Sequence, residues 1–338
     1  MGLTHFPNGI TSFGQPVMGS GAMYGMDYAS AIWFVDDKNG SDSNLGTTPE
    51  GAFKTIAVAI AAANAWDVIY IMPKTWTSSP YSYPGLNTAY AESNTIAYAK
   101  AGLSMIGVAP ADLRGRPHGV VIRETASGTS ANLAVYAPMC AFENLAFERG
   151  GTETGGQLAF RGGTAVTSEA NAPTIYNCYF FYANGTTGPG NWGGAIMADQ
   201  IWGMTVSHCK FLGCRVGVAF QSGGATAGDI EISDCTFMSR NTAASEIDAD
   251  IIVYTQGAAC VSIHDIFCAH LIPSLSGGAI LRWITITGDV RQGQLARVYC
   301  AGAHGTAYTF GAGTGIACPS NFGVSAVYDG TNAVMAHA

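Results

Sequence analysis

A six-residue pattern of apolar and polar positions recurs along the middle of the chain. Its clearest copies begin at Ile175, Val206 and Ile232, with a looser copy at Ile263 and an earlier one at Phe142. In the clear copies the first, fourth and sixth positions are Ile or Val, Cys and Phe, and the third is Asn, His or Asp. The copies start about 30 residues apart, a spacing typical of stacked repeats that cannot bury their apolar side alone. The pattern predicts the coils of a parallel β-solenoid.

The predicted coils occupy residues 74–300. The chain has 338 residues, which is enough for one elongated domain with a large core. Its 44 glycines supply corners between short strands, and little helical periodicity is present. At roughly 28 residues per turn the region holds about eight coils, each adding about 4.8 Å along the axis.

A different pattern precedes the coils, in residues 31–73. Ile32–Val35 is a predicted strand, Asp36–Gly46 is a turn-rich loop, and Thr47–Glu50 carries the signals of a helix start. Asp67–Pro73 is the next predicted strand. The helix between them has one apolar face, formed by Phe53, Ile56, Ile60 and Ala63.

This strand–loop–helix–strand order resembles the opening of pectate-lyase-like right-handed β-helix proteins. In that superfamily the helix plugs the N-terminal end of the solenoid, where an uncapped coil would leave unpaired backbone groups. The resemblance implies an all-β fold: a single-stranded right-handed parallel β-helix with an N-terminal capping α-helix. Residues 301–338, which are rich in Gly, Ala and Thr at their start, are predicted to be a C-terminal β extension or cap.

The loop Asp36–Asn44 contains enough oxygen ligands to suit calcium. It lacks the spacing and the closing glutamate of an EF-hand loop, and Asp, Asn and Gly are also ordinary turn residues. We expect turns here, and no metal or other cofactor.

Residues 1–30 are predicted to form an extended N-terminal arm. Prolines and glycines preclude a helix, yet the segment is too apolar for a solvated tail. It is therefore expected to lie against its own solenoid or a neighbouring subunit. The predicted attachment residues are Phe6, Pro7, Ile10, Phe13 and Pro16.

The segment Thr4–Thr11 resembles the N-terminal segment of structural proteins of tailed bacteriophages. The resemblance implies a virion component, assembled in the host cytoplasm and attached through its arm to other capsid or tail proteins. A capsid decoration, a fibre and a tail spike all fit. We expect a homotrimer, with residues 301–338 available for contact between copies.

Charge is scarce along the whole chain. Only 11% of residues are charged, and 15 Lys and Arg against 23 Asp and Glu give a net charge of −8. This balance argues against a nucleic-acid partner, which requires clustered cations. The sparse charge suggests that copies of the chain or another protein cover part of its surface; a neutral polar coat is the alternative. We expect neither a transmembrane helix nor a signal peptide.

Nine cysteines are present, and Cys178, Cys209 and Cys235 fall at equivalent repeat positions. The paired short spacings of zinc sites are missing. We therefore expect small buried thiols and folding in a reducing cytoplasm, although stacked cysteines also suit a metal or a disulfide.

Acidic residues supply the candidate catalytic groups. Glu246, Asp248 and Asp250 alternate with apolar residues, which predicts one outward-facing row, and Asp229 and Glu231 lie about one coil earlier. A glycoside hydrolase needs two carboxylates, so a polysaccharide depolymerase is possible chemistry for this set. The alternative is a solvated outer face. The catalytic motifs of polygalacturonases and pectate lyases are missing from the sequence.

We therefore predict a non-enzymatic phage virion protein, exposed for contact with other surfaces or the host, including host polysaccharide. The alternative function is a tail-spike depolymerase, a glycoside hydrolase or lyase, that uses the outward carboxylates.

Overall fold

The computed structural model describes the coil region and its N-terminal cap, with gaps between strands. The described residues are 11–12, 15–16, 31–74, 89–109, 112–113, 116–117, 119–123, 131–148, 156–161, 170–181, 194–214, 216–221, 228–238, 249–269, 282–301, 306–310 and 316–317. Two antiparallel pairs lie outside the main sheets: β1 (Thr11–Ser12) with β2 (Gln15–Pro16), and β8 (Asp112–Leu113) with β9 (Arg116–Pro117).

Three stacks of parallel strands form the body of the protein, and each turn of the chain after the first contributes one strand to each stack. The first sheet contains β3 (Ile32–Val35), β4 (Val68–Ile71), β7 (Ser104–Gly107), β12 (Ala141–Glu143), β15 (Thr174–Tyr176), β18 (Thr205–Ser207), β21 (Ile230–Ser233), the middle parts of two long strands, β23 (Ala249–Ala269) and β24 (Arg282–Ala301), and β26 (Ile316–Ala317).

The other two sheets are built in the same way. The second contains β5 (Ala89–Ala91), β10 (Val120–Arg123), β13 (Leu145–Glu148), β16 (Tyr179–Phe181), β19 (Lys210–Leu212), β22 (Thr236–Met238) and the ends of β23 and β24. The third contains β6 (Asn94–Ile96), β11 (Leu133–Val135), β14 (Leu158–Arg161), β17 (Ile196–Asp199), β20 (Val216–Gln221), the beginnings of β23 and β24, and β25 (Thr306–Phe310).

The chain passes from the first sheet to the second, then to the third, and returns to the first one rung further along. Parallel crossovers of this kind are almost always right-handed, because a right-twisted strand packs back onto its sheet only in that sense. The predicted all-β, right-handed parallel β-helix is confirmed.

The repeated hexamer marks the corner between the first and second sheets. Its first residue is buried at the centre of the first sheet, where Ile175, Val206 and Ile232 are register neighbours. Its third residue is the corner and has a positive φ, which short polar side chains tolerate best. The corner residues are Asn144, Asn177, His208, Asp234, Asp265 and Arg297, with φ between 49° and 56°.

Replacing Asn177 by valine should destabilise this corner. The Asn177 side-chain amide donates to the Asn144 side-chain oxygen at 2.6 Å, and φ at Asn177 is 50°. Loss of the hydrogen bond and a β-branched residue at positive φ should together cost about 2–3 kcal/mol. Asn177→Gly, which keeps the backbone relaxed, should cost only about 1 kcal/mol in urea unfolding. Equal losses for the two variants would contradict this account of the corner.

The sixth hexamer position forms an aromatic column inside the solenoid. The Phe180 and Phe211 rings stack with centroids 5.1 Å apart, and Phe211 and Phe237 stack at 4.5 Å. Phe147 extends the column, stacking on Phe180 at 5.1 Å. These side chains are almost fully buried, so the column forms the part of the core beneath the second sheet.

Cysteines fill much of the remaining core. Cys140, Cys178, Cys209, Cys214, Cys235 and Cys268 are buried thiols outside any disulfide, as the sequence predicted, whereas the Cys260 thiol is exposed. Burial raises the pKa of the Cys140 thiol to about 12. Burial also raises the pKa of Cys209, which lies between Cys178 and Cys235. Buried thiols with raised pKa values are poor nucleophiles.

Helix α1 (Ile56–Ala62) caps the first rungs through buried Ile56, Ala59 and Ile60, with Phe53 and Ala63 also buried in the core. The predicted helix start at Thr47–Glu50 is wrong. The Thr48 hydroxyl accepts from Gly51 N–H within a turn, and Phe53 pairs with Phe34 as extended backbone.

The helix begins later because acidic side chains hold its first turn there. Asp42 accepts hydrogen bonds from the backbone N–H groups of Lys54 and Thr55, and Thr55 is the N-cap. The Glu92 carboxylate accepts from Ile56 and Ala57 N–H. Asp36 similarly accepts from Lys38 and Asn39 N–H, so acids of the 36–44 loop organise turns.

Candidate functional site

The predicted acidic residues fall on two different sheets. Asp250 belongs to the β23 segment that pairs with β20 in the third sheet, and its side chain lies outside the described residues. Glu246 and Asp248 also lie outside them. Glu231 lies in the first sheet beside Ser262, so the strand of Asp250 is not its neighbour.

An open groove of about 480 Å³ crosses the outer face of the first sheet, over β18, β21, β23 and β24. We call it the Glu231 groove. Its described lining residues are Thr205, Asp229, Ile230, Glu231, Cys260, Val261, Ser262, Gly293 and Gln294.

Strand alternation places the polar groups of the groove outward. Ile230 and Ile232 are buried on either side of exposed Glu231. In the next rung Val261 and Ile263 are buried around Ser262. Because successive residues of a strand point to opposite faces, each rung contributes one outward polar residue at this position. Register aligns them in the row Thr205, Glu231, Ser262 and Gln294.

The row is hydrogen-bonded between rungs. Gln294 Nε2 donates to Ser262 Oγ at 2.8 Å, which orients both side chains along the axis of the solenoid. Cys260 is two residues before Ser262, on the same outer face, and it carries an exposed thiol. Among the cysteines whose side chains the structure describes, Cys260 is the exposed one.

A glycine and a tryptophan lie beside the groove residue Asp229. Asp229 has φ 52°, and it is the corner residue that leads into β21. Gly228, immediately before it, bridges to Trp202. A Cβ atom at Gly228 would lie 2.2 Å from the Trp202 ring, so only glycine fits beneath the indole. Trp202 is 40% exposed and therefore presents part of its ring to solvent next to Asp229.

A chain of polar contacts extends from Glu231 along the corner with the second sheet. His264 Nε2 lies 3.6 Å from Glu231 Oε1, and His264 Nδ1 lies 2.8 Å from Asp265 Oδ2. Arg297 Nε donates to Asp265 Oδ1 at 2.6 Å, and Arg297 Nη2 donates to Asp265 Oδ2. Hydrogen bonds from Arg297 and then His264 hold the pKa of the Asp265 carboxyl well below its usual range.

The Asp265–Arg297 pair should make the folding stability of the protein depend on pH. Because the pKa of Asp265 is lowered in the folded state, its contribution is complete at neutral pH and is lost as pH falls below about 4. Arg297→Met should therefore lower the urea midpoint slightly at pH 7, since the pair is exposed. The difference from wild type should shrink at pH 3, and a constant difference at both pH values would contradict the assignment.

The sequence did not single out Ser262, His264, Gln294, Trp202 or Cys260 as site residues. The position immediately before each hexamer copy provides the missing signal, because it holds Thr174, Thr205, Glu231 and Ser262 in successive copies. These residues are far apart in the chain, and only the register shows that they form one row.

The predicted attachment residues cannot be placed together. Pro16 belongs to β2, whereas Phe6, Pro7, Ile10 and Phe13 lie outside the described residues. Within the described part of the chain, no group of three or more His, Cys, Asp or Glu side chains is arranged to hold a metal ion. In that same part, the helices are too short or too polar to cross a bilayer.

No protein-family model matches the chain. No curated protein matches it either. Among solved structures, the GH136 lacto-N-biosidase from Eubacterium ramulus aligns with a TM-score of 0.55 at 12% identity. The alignment covers 89% of this chain and 56% of that one, so this chain spans just over half of the enzyme.

The likeness lies in the fold. The chain is a parallel β-helix. A rhamnogalacturonan lyase aligns with a TM-score of 0.38 at 11% identity, covering 85% of this chain and 84% of that one. Pectate lyase Pel9A aligns with a TM-score of 0.38 at 13% identity, covering 87% and 79%. Function must be argued from this chain's own residues.

Proposed function

We propose that this β-helix is a non-enzymatic structural protein of a tailed-phage virion, and that its Glu231 groove contacts host-surface saccharide. The groove carries the saccharide-binding part of this proposal. The Thr4–Thr11 resemblance supports the virion part, in which residues 1–30 attach the β-helix to capsid or tail proteins and the chain assembles as a homotrimer.

The groove offers the kinds of groups that sugars require. Ser262 and Thr205 hydroxyls, the Gln294 amide and the Glu231 carboxylate can exchange hydrogen bonds with sugar hydroxyls. The exposed indole of Trp202, next to Asp229, provides an apolar face for a sugar ring. An open groove of about 480 Å³ suits a chain-like ligand, whose ends can extend beyond it.

Two variants test saccharide binding at the groove. Trp202→Ala should weaken binding of host-surface polysaccharide about fivefold, since stacking on an exposed aromatic ring contributes on the order of 1 kcal/mol. Tyr299→Ala is the control: Tyr299 is 44% exposed, but it lies on the second sheet away from the groove. Equal effects of the two variants in surface plasmon resonance would exclude the Glu231 groove as the binding site.

Virion attachment needs a separate experiment. Particles produced with Phe6, Ile10 and Phe13 all changed to serine should lack the protein, because these substitutions remove the apolar side chains of the arm. Mass spectrometry of purified particles measures the protein's content relative to the major capsid protein. Undiminished content in the variant particles would overturn the role of the arm, and a soluble monomer with no affinity for particles would overturn the virion assignment.

A second candidate function is polysaccharide depolymerisation. It is favoured by two exposed carboxylates, Asp229 and Glu231, in the same groove. In such an enzyme one carboxylic acid protonates the glycosidic oxygen and the other acts as base or nucleophile. Release of reducing ends that disappears in Asp229→Asn and Glu231→Gln would establish this function. Binding without release of reducing ends supports the structural role.

A further inference from the structure

The Glu231 groove is negatively charged on the side that faces solvent. Asp229 is exposed, and 49% of the Glu231 side chain is exposed. Among the described lining residues there is neither a lysine nor an arginine. The other lining groups are hydroxyls, an amide, a thiol, backbone and apolar side chains, so the two carboxylates set the charge that a ligand meets.

The basic side chains of Arg297 and His264, at the corner beside the groove, contact acids. Arg297 places Nε and Nη2 on the Asp265 carboxylate. His264 lies between Glu231 and Asp265, and it faces acids on both sides. Asp234, at the neighbouring corner position, adds another negative charge. The surroundings therefore do not reverse the sign of the groove.

We propose that Asp229 and Glu231 select ligands by charge: the groove accepts amine-bearing and neutral saccharides and disfavours uronates. This inference rests on the proposed saccharide contact and adds the ligand class. A uronate carboxylate held among the Thr205–Gln294 row would face Glu231, and the described lining offers neither a lysine nor an arginine to neutralise it. A protonated sugar amine would instead gain an ion pair, and a neutral sugar would use the hydroxyl and amide groups alone.

The size of the effect follows from Coulomb's law. Two unit charges about 4 Å apart in a water-like medium change an affinity by roughly fivefold. Affinity should therefore fall in the order chitosan tetramer, cellotetraose, tetragalacturonate, with about fivefold between neighbours at low salt. At about 1 M salt screening should nearly remove the differences. A role for these acids in folding alone would not produce this salt dependence.

The test measures the affinity of the whole chain for the three tetrasaccharides by isothermal titration calorimetry at low and high salt. In the Asp229→Asn, Glu231→Gln double variant, the three affinities should converge as they do at high salt. Asp234→Asn is the matched control, since it removes one acid from a corner outside the groove and asparagine tolerates positive φ. The control should keep the wild-type order.

The outcomes separate this inference from the function on which it rests. Equal or tighter binding of tetragalacturonate at low salt would overturn charge selection while leaving saccharide contact intact. An order that survives in the double variant would also overturn it. If none of the three saccharides binds, the proposed contact itself fails and charge selection fails with it.

Discussion

Phe211→Ala should destabilise the β-helix by about 3–5 kcal/mol, the usual range for deleting a fully buried phenylalanine. Phe211 stacks on Phe180 and on Phe237, so its loss opens a cavity in the middle of the column. Neighbouring rungs cannot close it, because their strands are fixed by hydrogen bonds above and below. Urea unfolding followed by far-UV circular dichroism measures the loss.

Phe267→Ala is the matched control for this prediction. Phe267 lies in the same sheet, but its side chain is 44% exposed on the outer face. Its removal should cost less than about 1 kcal/mol, since surface substitutions are usually small. If both alanine variants lowered the urea midpoint equally, the inward assignment of the hexamer's sixth position would be wrong.

Asp67→Ala should have the second large effect, about 3 kcal/mol or more. Asp67 is fully buried and accepts from Ala31 N–H at 2.9 Å, Trp33 Nε1–H at 2.8 Å and Asn64 N–H at 2.7 Å. Each donor left without its acceptor costs about 1–3 kcal/mol when water cannot replace it. The loss should concentrate at the first rungs, where amide hydrogen exchange of β3 and β4 should accelerate most.

Asp42→Ala provides the comparison. Asp42 also accepts hydrogen bonds from Lys54 N–H and Thr55 N–H, but it is exposed, so water can replace it. Its loss should cost about 1 kcal/mol, as at other helix starts. A loss for Asp42→Ala as large as that for Asp67→Ala would show that burial does not set the cost.

The hexamer predicted much of the fold because one periodic pattern encodes one rung. Its apolar first and sixth positions became the buried centres of two sheets, and its polar third position became the positive-φ corner. The last copy, Leu295–Cys300, escaped recognition because Arg297 occupies the corner, where the recognised copies have Asn, His or Asp.

The helix start was mispredicted because its local signals have two meanings. A threonine followed by proline and an acid suits an N-cap and also a tight turn, and Thr48 forms the turn. The deciding interactions come from elsewhere: Asp42 and the distant Glu92 hold the first turn of α1 at Ile56. Glu92 lies 36 residues from Ile56 in the sequence, so the residues around the helix start do not reveal this acceptor.

The groove could be predicted only in part for the same reason. Asp229 and Glu231 were recognised as candidate catalytic acids, but their partners are set by register between rungs rather than by sequence proximity. Glu231 meets Ser262 because β21 pairs with β23 in the first sheet, and Asp250 pairs elsewhere. A separation of about one coil between Asp229 or Glu231 and the 246–250 acids does not tell which segment enters which sheet.

Labelling of Cys260 can test the central claim, which is that saccharide binds on the outer face of the first sheet. The Cys260 thiol is exposed in the groove, whereas the other cysteines with described side chains are buried. Iodoacetamide labelling of Cys260, mapped by mass spectrometry, should slow severalfold when host-surface polysaccharide is bound. An unchanged labelling rate at saturating polysaccharide would contradict the account.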